Sequence, residues 1–295
     1  RRQRQMCIRD RSMLAKRIPS ILPEMTRAES METTQIYSIA GLLDPKQPII
    51  RTRPFRSPHH TISSVGLVGG GSVPHPGEIS LAHNGLLFLD ELAEFDHRTL
   101  EIMRQPLEDH RVTITRAAGT ITYPCSFMLV GAMNPCPCGY FGHPHRKCTC
   151  SDRQVRQYLN RISGPLLDRF DLHIEVEPVS FDDLSAKTKS ESSAEIRKRV
   201  QAARERQTRR FAGTNIFCNA AIPAGKLQDY CMLDSDALTL LHAVFDKLGL
   251  SARAYDRILK VARTIADLDQ CDVIGKKHIA SATQFRSLDR KYWAQ

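Results

Sequence analysis

The chain has 295 residues, of which 41% are hydrophobic and 25% charged, an ordinary balance for one large or two medium soluble domains. Its 42 Lys+Arg against 32 Asp+Glu leave a net charge of +10, which favours an anionic partner, nucleic acid first and nucleotide next. No apolar run approaches the ~18 residues of a membrane span and the Arg-rich start has no signal-peptide core, so the chain reads as cytoplasmic, where a cluster of Cys suggests metal rather than disulfides.

Residues 1–11 are charged, lack glycine and do not begin with Met, so they read as foreign or disordered sequence on a fragment. Ser12 to Leu22 has Met13, Leu14, Arg17, Ile18 and Ile21 near helical spacing and stops at Pro23. A second helix is expected from Thr26 to Ala40, ended by Gly41. Asp44 to Gly85 is rich in Pro, Gly, Ser and His and reads as irregular. Within it, Gly69-Gly70-Gly71 is expected to be flexible, and His59 and His60 read as solvated loop histidines.

Leu86-Leu87-Phe88-Leu89-Asp90-Glu91 organises the rest. Four apolar residues in a row predict a strand buried on both faces, the central strand of a parallel sheet. Ligands of such sheets sit beyond the carboxyl ends of the strands, where Asp90 and Glu91 would project. In a nucleotide triphosphatase, one such carboxylate helps hold Mg²⁺ and the next orients the attacking water. A helix over His97 to Asp109 follows, with Leu100, Met103 and Leu107 as its core stripe. Val112 and Ile114, then Ile121 and Tyr123, alternate about Ala-Ala-Gly and predict a hairpin, with Arg116 a solvated residue beside its turn. Phe127 to Ala132 is expected as a second buried strand, with Asn134 at its tip able to reach a γ-phosphate or its water.

Cys136 and Cys138, with Cys148 and Cys150, form two CxC pairs that can supply a tetrahedral S₄ set for structural Zn²⁺. His143 or His145 could replace one thiol. Four ligands would close the site to catalysis. A helix is expected over Asp152 to Ile162 and a strand over Leu172 to Val176. Ser180 to Ser193 reads as a linker, and Ala194 to Arg210 as a charged helix with a solvated face. Helices over Asp236–Leu248, Ser251–Leu268 and Lys276–Phe285 complete a small bundle after an α/β domain.

The order of these motifs resembles that of AAA+ ATPases of the magnesium-chelatase-like branch, most closely the ComM/YifB family. The resemblance rests on Arg53-Pro-Phe-Arg-Ser-Pro-His-His60, Pro76-Gly-Glu-Ile-Ser-Leu-Ala-His-Asn-Gly85, Leu86–Glu91 and Met133-Asn-Pro-Cys-Pro-Cys-Gly139. Gly164-Pro-Leu-Leu-Asp-Arg-Phe-Asp171, Ser251-Ala-Arg-Ala-Tyr-Asp-Arg257 and Val261-Ala-Arg-Thr-Ile-Ala-Asp267 extend it to the C-terminus. It implies a P-loop-type parallel sheet flanked by helices over 12–179, a linker over 180–193 and an all-α lid over 194–295. By the resemblance, Ser12 and Asp90 bind Mg²⁺ beside ATP, Glu91 activates water and Asn134 is sensor 1. Arg169 is the arginine finger acting on a neighbour's ATP, which implies a homo-hexameric ring, and Arg253 is sensor 2. Gly66 to Ala82 becomes the helix-2 insertion, and Arg116 the DNA-contacting tip of the pre-sensor-1 hairpin.

The chain departs from the family where a Gly-rich loop ending Gly-Lys-Ser or Gly-Lys-Thr should precede Met13: here the order is Asp10-Arg11-Ser12. Without small residues, backbone N–H groups cannot close on phosphates, so the chain as written is expected to bind ATP poorly. Three readings follow: an ATP-driven motor on single-stranded or branched DNA, as in natural transformation; a chelatase-type subunit driving metal insertion; or a non-hydrolysing zinc-stapled scaffold.

Overall fold

A computed structural model describes residues 12–117, 119–143, 146–176 and 191–286. The expectations for residues 1–11, for His145 and for the linker up to residue 190 lie outside the described residues. The chain forms two compact units. The first holds Glu24–Arg169 with the residues up to Pro19, and the second holds Ser20–Pro23 with the chain from Phe170 onward.

The first unit opens with helix α1 over residues 12–17 and α2, Arg27–Ile39. Thr26 caps α2: its hydroxyl accepts from Glu29 N, and Glu29 Oε2 accepts from Thr26 N at 2.7 Å, a reciprocal capping box. Strand β1 is Phe55–Arg56. Next come α3 (Ser64–Val68), β2 (Gly69–Gly70), β3 (His75–Pro76) and α4 (Glu78–Leu81). The unit continues through β4 (Leu86–Leu89), α5 (His97–Ile102), α6 (Arg104–Asp109), β5 (Arg111–Arg116), β6 (Gly119–Pro124) and β7 (Met128–Gly131). Helices α7 (Asp152–Leu159) and α8 (Gly164–Leu167) close it.

Strands β1, β4 and β7 form a parallel sheet in the order β1-β4-β7, with Phe55 opposite Leu86 and Leu86 opposite Met128. The apolar run is therefore the central strand, and all four of its residues are buried. Alternate residues face opposite ways. Leu86 and Phe88 join Ala15 of α1 in one core cluster, against which Ile18, Phe55, Val130 and Ala132 pack. Gly85 enters β4 under Pro54: a Cβ there would stand 2.2 Å from Pro54 O, the atom that accepts from Leu86 N at 2.8 Å. Only glycine lets the two backbones meet that closely.

Four expectations need correction. The helix over His97–Asp109 breaks at Met103, because Pro106 has no N–H to offer the carbonyl of Ile102. The Gly69–Gly71 stretch is not a free loop: β2 pairs with β3, and Gly69 and Gly70 are buried. A Cβ on Gly69 would meet His75 O at 2.5 Å and Ile114 Cδ1 at 2.7 Å, so the glycine serves close packing rather than mobility. Strand β7 is not fully buried, and Met128 is 44% exposed. Leu172–Val176 forms no ladder among the described residues. The segment carries no regular secondary structure, His173 N donates to Phe285 O, and alternating Leu172, Ile174 and Val176 stay exposed.

His83 is buried beside β4 and shows how the polar core is satisfied. Ser126 N donates to its Nδ1 at 3.0 Å, which places the proton on Nε2, 3.2 Å from Glu32 Oε2. Burial lowers its pKa, partly offset by Glu32. The unfolded chain therefore binds the proton more readily, and stability is lost as pH falls through the ordinary histidine value of about 6.5. Thermal unfolding followed between pH 8 and 5.5 is expected to show this loss, and His83→Gln to flatten it. Parallel curves for the two proteins would refute the assignment.

The second unit is helical: α9 (Ser193–Arg210), α10 (Ser235–Leu248), α11 (Ala252–Leu268) and α12 (Lys276–Gln284). Asp234 caps α10, accepting from Ala237 N at 2.7 Å, and Gly249 ends it with φ +55°. Ile222, Leu241, Ile258, Ala262, Ile274 and Ile279 anchor its core. The charged helix α9 buries only Ala203 and Gln207, and several of its charges are paired. Arg206 pairs with Asp272, Arg210 with Asp267 and Arg199 with Glu191, and Arg204 donates to Phe217 O.

Candidate functional site

The parallel sheet carries Asp90 and Glu91 at the carboxyl end of its central strand. Asp90 Oδ1 accepts from Glu91 N at 3.0 Å, and Oδ2 accepts from the Ser12 hydroxyl at 2.6 Å. Ser12 opens α1, so the packing of Ala15 against Leu86 and Phe88 is what brings that hydroxyl to the strand tip. Glu91 takes a left-handed backbone conformation, φ 53° and ψ 46°, which few residues other than glycine adopt. The turn is held open-sided: Leu92 N donates to Ala132 O at 2.9 Å, and Glu94 N to Glu91 O at 2.7 Å. The first of these bonds ties the Asp90–Glu91 turn to the end of β7, two residues before Asn134.

Asn134 is braced from its other side. Gly139 lies against it, since a Cβ on Gly139 would sit 3.9 Å from Asn134 Oδ1. The Tyr158 hydroxyl of α7 bonds the Asn134 backbone, while burial pushes the Tyr158 pKa up to about 12. Thus the structure brings Ser12, Asp90 and Glu91 together, with Asn134 at the neighbouring strand tip.

The four thiols of Cys136, Cys138, Cys148 and Cys150 gather with every Sγ within 4.8 Å of the others. Cys136 lies 3.3 Å from Cys138 and 3.7 Å from Cys148, and Cys138 lies 3.4 Å from Cys148. Ligands on a tetrahedron with ~2.3 Å metal–sulfur bonds stand ~3.8 Å apart, so the set is close to the size a zinc ion requires. Phe141 N donates to the Cys136 sulfur and Cys150 N to the Cys148 sulfur; at Cys148 burial and the neighbouring thiols outweigh that contact and push the pKa up to about 12. Burial opposes ionisation of Cys138, but the Thr149 and Tyr140 N–H groups and the flanking thiols outweigh it and lower its pKa to about 5. The cluster could hold a metal ion. His143 is not in it, and its ring stands edge-on to Tyr140 instead.

The remaining candidates stand on other elements. Arg169 follows α8, where its side chain is 7% exposed, donates to Pro165 O at 2.5 Å and pairs with Glu108 of its own chain. Arg253 is the second residue of α11 in the helical unit, exposed to solvent. Arg116 stands at the end of β5, opposite Gly119, and donates to Thr115 O at 2.8 Å. Its guanidinium lies over Gly70, where a Cβ would be 2.8 Å from Nη2. Tyr123 OH donates to Pro74 O at 3.0 Å, so the β5–β6 hairpin and the β2–β3 insertion are fastened together. Sequence reasoning missed this fastening, and it missed His60, whose Nδ1 lies 3.4 Å from Glu91 Oε2.

No helix among the described residues is long and apolar enough to cross a membrane. The family model described as magnesium chelatase, subunit ChlI, matches residues 9–184, and the model of the ChlI C-terminal part matches 190–286. An uncharacterized protein YifB of Escherichia coli is 46% identical over 282 residues, 95% of this chain and 54% of the relative. A competence protein ComM of Haemophilus influenzae is 44% identical over 285 residues, with the same two shares. A magnesium-chelatase subunit ChlI of Mesostigma viride is 27% identical over 119 residues, 40% of this chain and 27% of the relative. The chain spans about half the length, 54%, of the bacterial relatives it matches.

Proposed function

The chain belongs to the magnesium chelatase ChlI family, within AAA+ proteins, and from that premise we propose that the whole protein is an ATP-driven motor acting on DNA as a homo-hexameric ring. The Ser12–Asp90 contact at 2.6 Å is the observation that carries the ATPase part. A hydroxyl and a carboxylate converging beyond a central parallel strand form an all-oxygen donor set, which suits Mg²⁺. Ser12 and Asp90 would hold that ion, which bound with ATP neutralises charge on the transferring phosphate. Glu91 would orient the attacking water and draw its proton, and Asn134 would aim its amide at the same water or at the γ-phosphate. Arg169 would act across a subunit boundary, exchanging Glu108 for a neighbour's phosphate, and Arg253 would contact the γ-phosphate from the helical unit.

The DNA part draws on the net charge of +10, on Arg116 held at the hairpin end by Gly70, and on the competence protein among the relatives. Cations placed at a protruding tip bind phosphate backbones without reading sequence. In the whole protein, single-stranded or forked DNA is expected to raise ATP turnover, and Arg116→Ala to remove most of that stimulation while leaving basal turnover unchanged. Turnover that ignores DNA would instead favour a chelatase-type subunit, the reading that the family description supports. Residues 1–11 carry no phosphate-cradling glycine. Rebuilding a Gly-Lys-Ser loop ahead of Met13 is accordingly expected to raise Mg²⁺-dependent ATP binding by this chain in a fluorescence titration.

The thiol cluster we assign to a structural zinc. Atomic absorption on the purified chain is expected to give about one zinc per chain, and Cys148→Ser to lose it together with part of the thermal stability. Metal-free protein with an unchanged melting curve in the variant would rule the zinc out.

A further inference from the structure

The charges beside the thiol cluster are nearly all of one sign. Between residues 146 and 160 stand Arg146, Lys147, Arg153 and Arg156, against Asp152 alone. All four cations are exposed. Arg161, next along the chain, pairs with Glu94, whereas Lys147, Arg153 and Arg156 make no ion pair among the described residues. Like charges gathered without counter-charges repel one another, and an external anion relieves that cost.

Helix α7 sorts its residues by face. Val155, Tyr158 and Leu159 are buried, and Arg153, Arg156, Gln157 and Asn160 stand outward at helical spacing. With Asp152, these four line a surface cavity of about 340 Å³. Two guanidinium groups and two amides can donate there, and Asp152 is the one group that opposes an anion. The backbone that carries the cations is fastened. Cys148 and Cys150 of the thiol cluster lie between Lys147 and Ser151, the cap of α7. Ser151 N donates to Gln154 Oε1 at 2.9 Å, and Gln154 N to Ser151 Oγ at 3.3 Å. Arg146 lies over the Tyr140 ring, 5.3 Å from its centroid, and donates to the Tyr140 hydroxyl at 2.9 Å. A backbone ordered in advance loses little freedom when an anion docks on it.

We propose that the outer face of α7 is a second DNA-contact surface, on which Arg153 and Arg156 take backbone phosphates of a single strand and Arg146 and Lys147 extend the track. The assignment rests on the DNA part of the reading above. Guanidinium, ammonium and amide donors match phosphate oxygens, and such contacts position a strand without reading its sequence. A single strand is flexible enough to follow an irregular loop onto a short helix. The thiol cluster then does more than stabilise: it joins the loop that carries Lys147 to the helix that carries the arginines.

Fluorescence anisotropy of a labelled oligothymidine, titrated with the whole protein over a series of salt concentrations, tests it. The double variant Arg153→Ala/Arg156→Ala is expected to weaken binding by on the order of tenfold at low salt. The slope of log affinity against log salt is expected to become shallower by roughly 1.4, two phosphate contacts at about 0.7 each. Arg153→Lys/Arg156→Lys keeps both charges and is expected to retain most of the affinity and the slope. Both side chains are exposed, so the melting curves of the variants are expected to match that of the unaltered protein. Affinity and slope unchanged in the alanine pair would overturn the proposal and leave the DNA reading standing on Arg116. A lysine pair as weak as the alanine pair would overturn it too, because charge would not be what binds. If the unaltered whole protein failed to bind the strand at all, the DNA reading itself would fall and the surface with it.

Discussion

Asp267→Ala is expected to destabilise the helical unit by about 3–5 kcal/mol, a third or more of the stability of an ordinary domain. The Asp267 carboxylate is fully buried. It accepts from Arg210 Nη1 and Asn219 Nδ2, each at 2.8 Å, and from Arg263 Nη2 at 3.1 Å. Arg263 is itself 1% exposed. Its Nη1 and Nη2 also donate to the carbonyls of Asp272 and Cys271, so it cannot swing to solvent. Removing the carboxylate leaves two guanidinium groups facing each other with one of them buried, and that is the costly way to break such a network. The intact triad is less valuable than its loss suggests, because its members were desolvated to form it. Burial acts to raise the Asp267 pKa, but hydrogen bonds from Arg210 and Asn219 and the charge of Arg263 lower it overall. The folded state thus holds the proton less tightly than the unfolded one. The contribution is complete above the ordinary Asp value of about 3.9 and is lost as pH falls toward the lower folded value. Denaturant unfolding of the chain at pH 7 and pH 3 checks both statements. A loss under about 1 kcal/mol at pH 7 would show that the network contributes nothing specific.

The parts of this molecule written in local sequence were readable, and the parts made by contact between distant segments were not. Leu86–Leu89 announces a central strand because four apolar residues can be satisfied only by cover on both faces. The thiol cluster was readable from its paired spacing, and its sulfurs do converge. Pro106 was a local signal that the helix should break at Met103, and the apolar stripe concealed it. By contrast, Leu172–Val176 alternates like a strand, yet alternation supplies only a face, and a ladder also needs a neighbour. The glycines at 69 and 70 suggest freedom when taken alone. Their reason is Ile114, His75 and Arg116, residues brought there by two separate hairpins. His60 and Glu91 meet through the register of β1 on β4, which no local pattern near either residue specifies.

Glu91→Gln in the whole protein is expected to lower ATP turnover by about 10²–10⁴-fold while Mg²⁺-dependent ATP binding survives. The two carboxylates at the strand tip are adjacent in sequence but differently engaged. Both oxygens of Asp90 are already committed, one to the Glu91 amide and one to the Ser12 hydroxyl, a grip that suits a metal ligand held in a fixed place. Glu91 takes a left-handed backbone conformation, its side chain is 41% exposed, and its carboxylate is faced by His60. An amide in its place keeps the size and the backbone of the turn, and removes only the ability to take a proton. Asp90→Asn should fail differently: it replaces one anionic oxygen of the Mg²⁺ set by a donor, so metal-dependent binding is expected to weaken along with turnover. Steady-state turnover and equilibrium nucleotide binding, each measured with and without Mg²⁺, distinguish the two variants. If Glu91→Gln lost binding, or kept turnover within tenfold, the division of roles between the two carboxylates would be wrong. The water would then have to be activated by another group in reach of the strand tips, and Asn134, which has no proton affinity to offer, could orient that water but not deprotonate it.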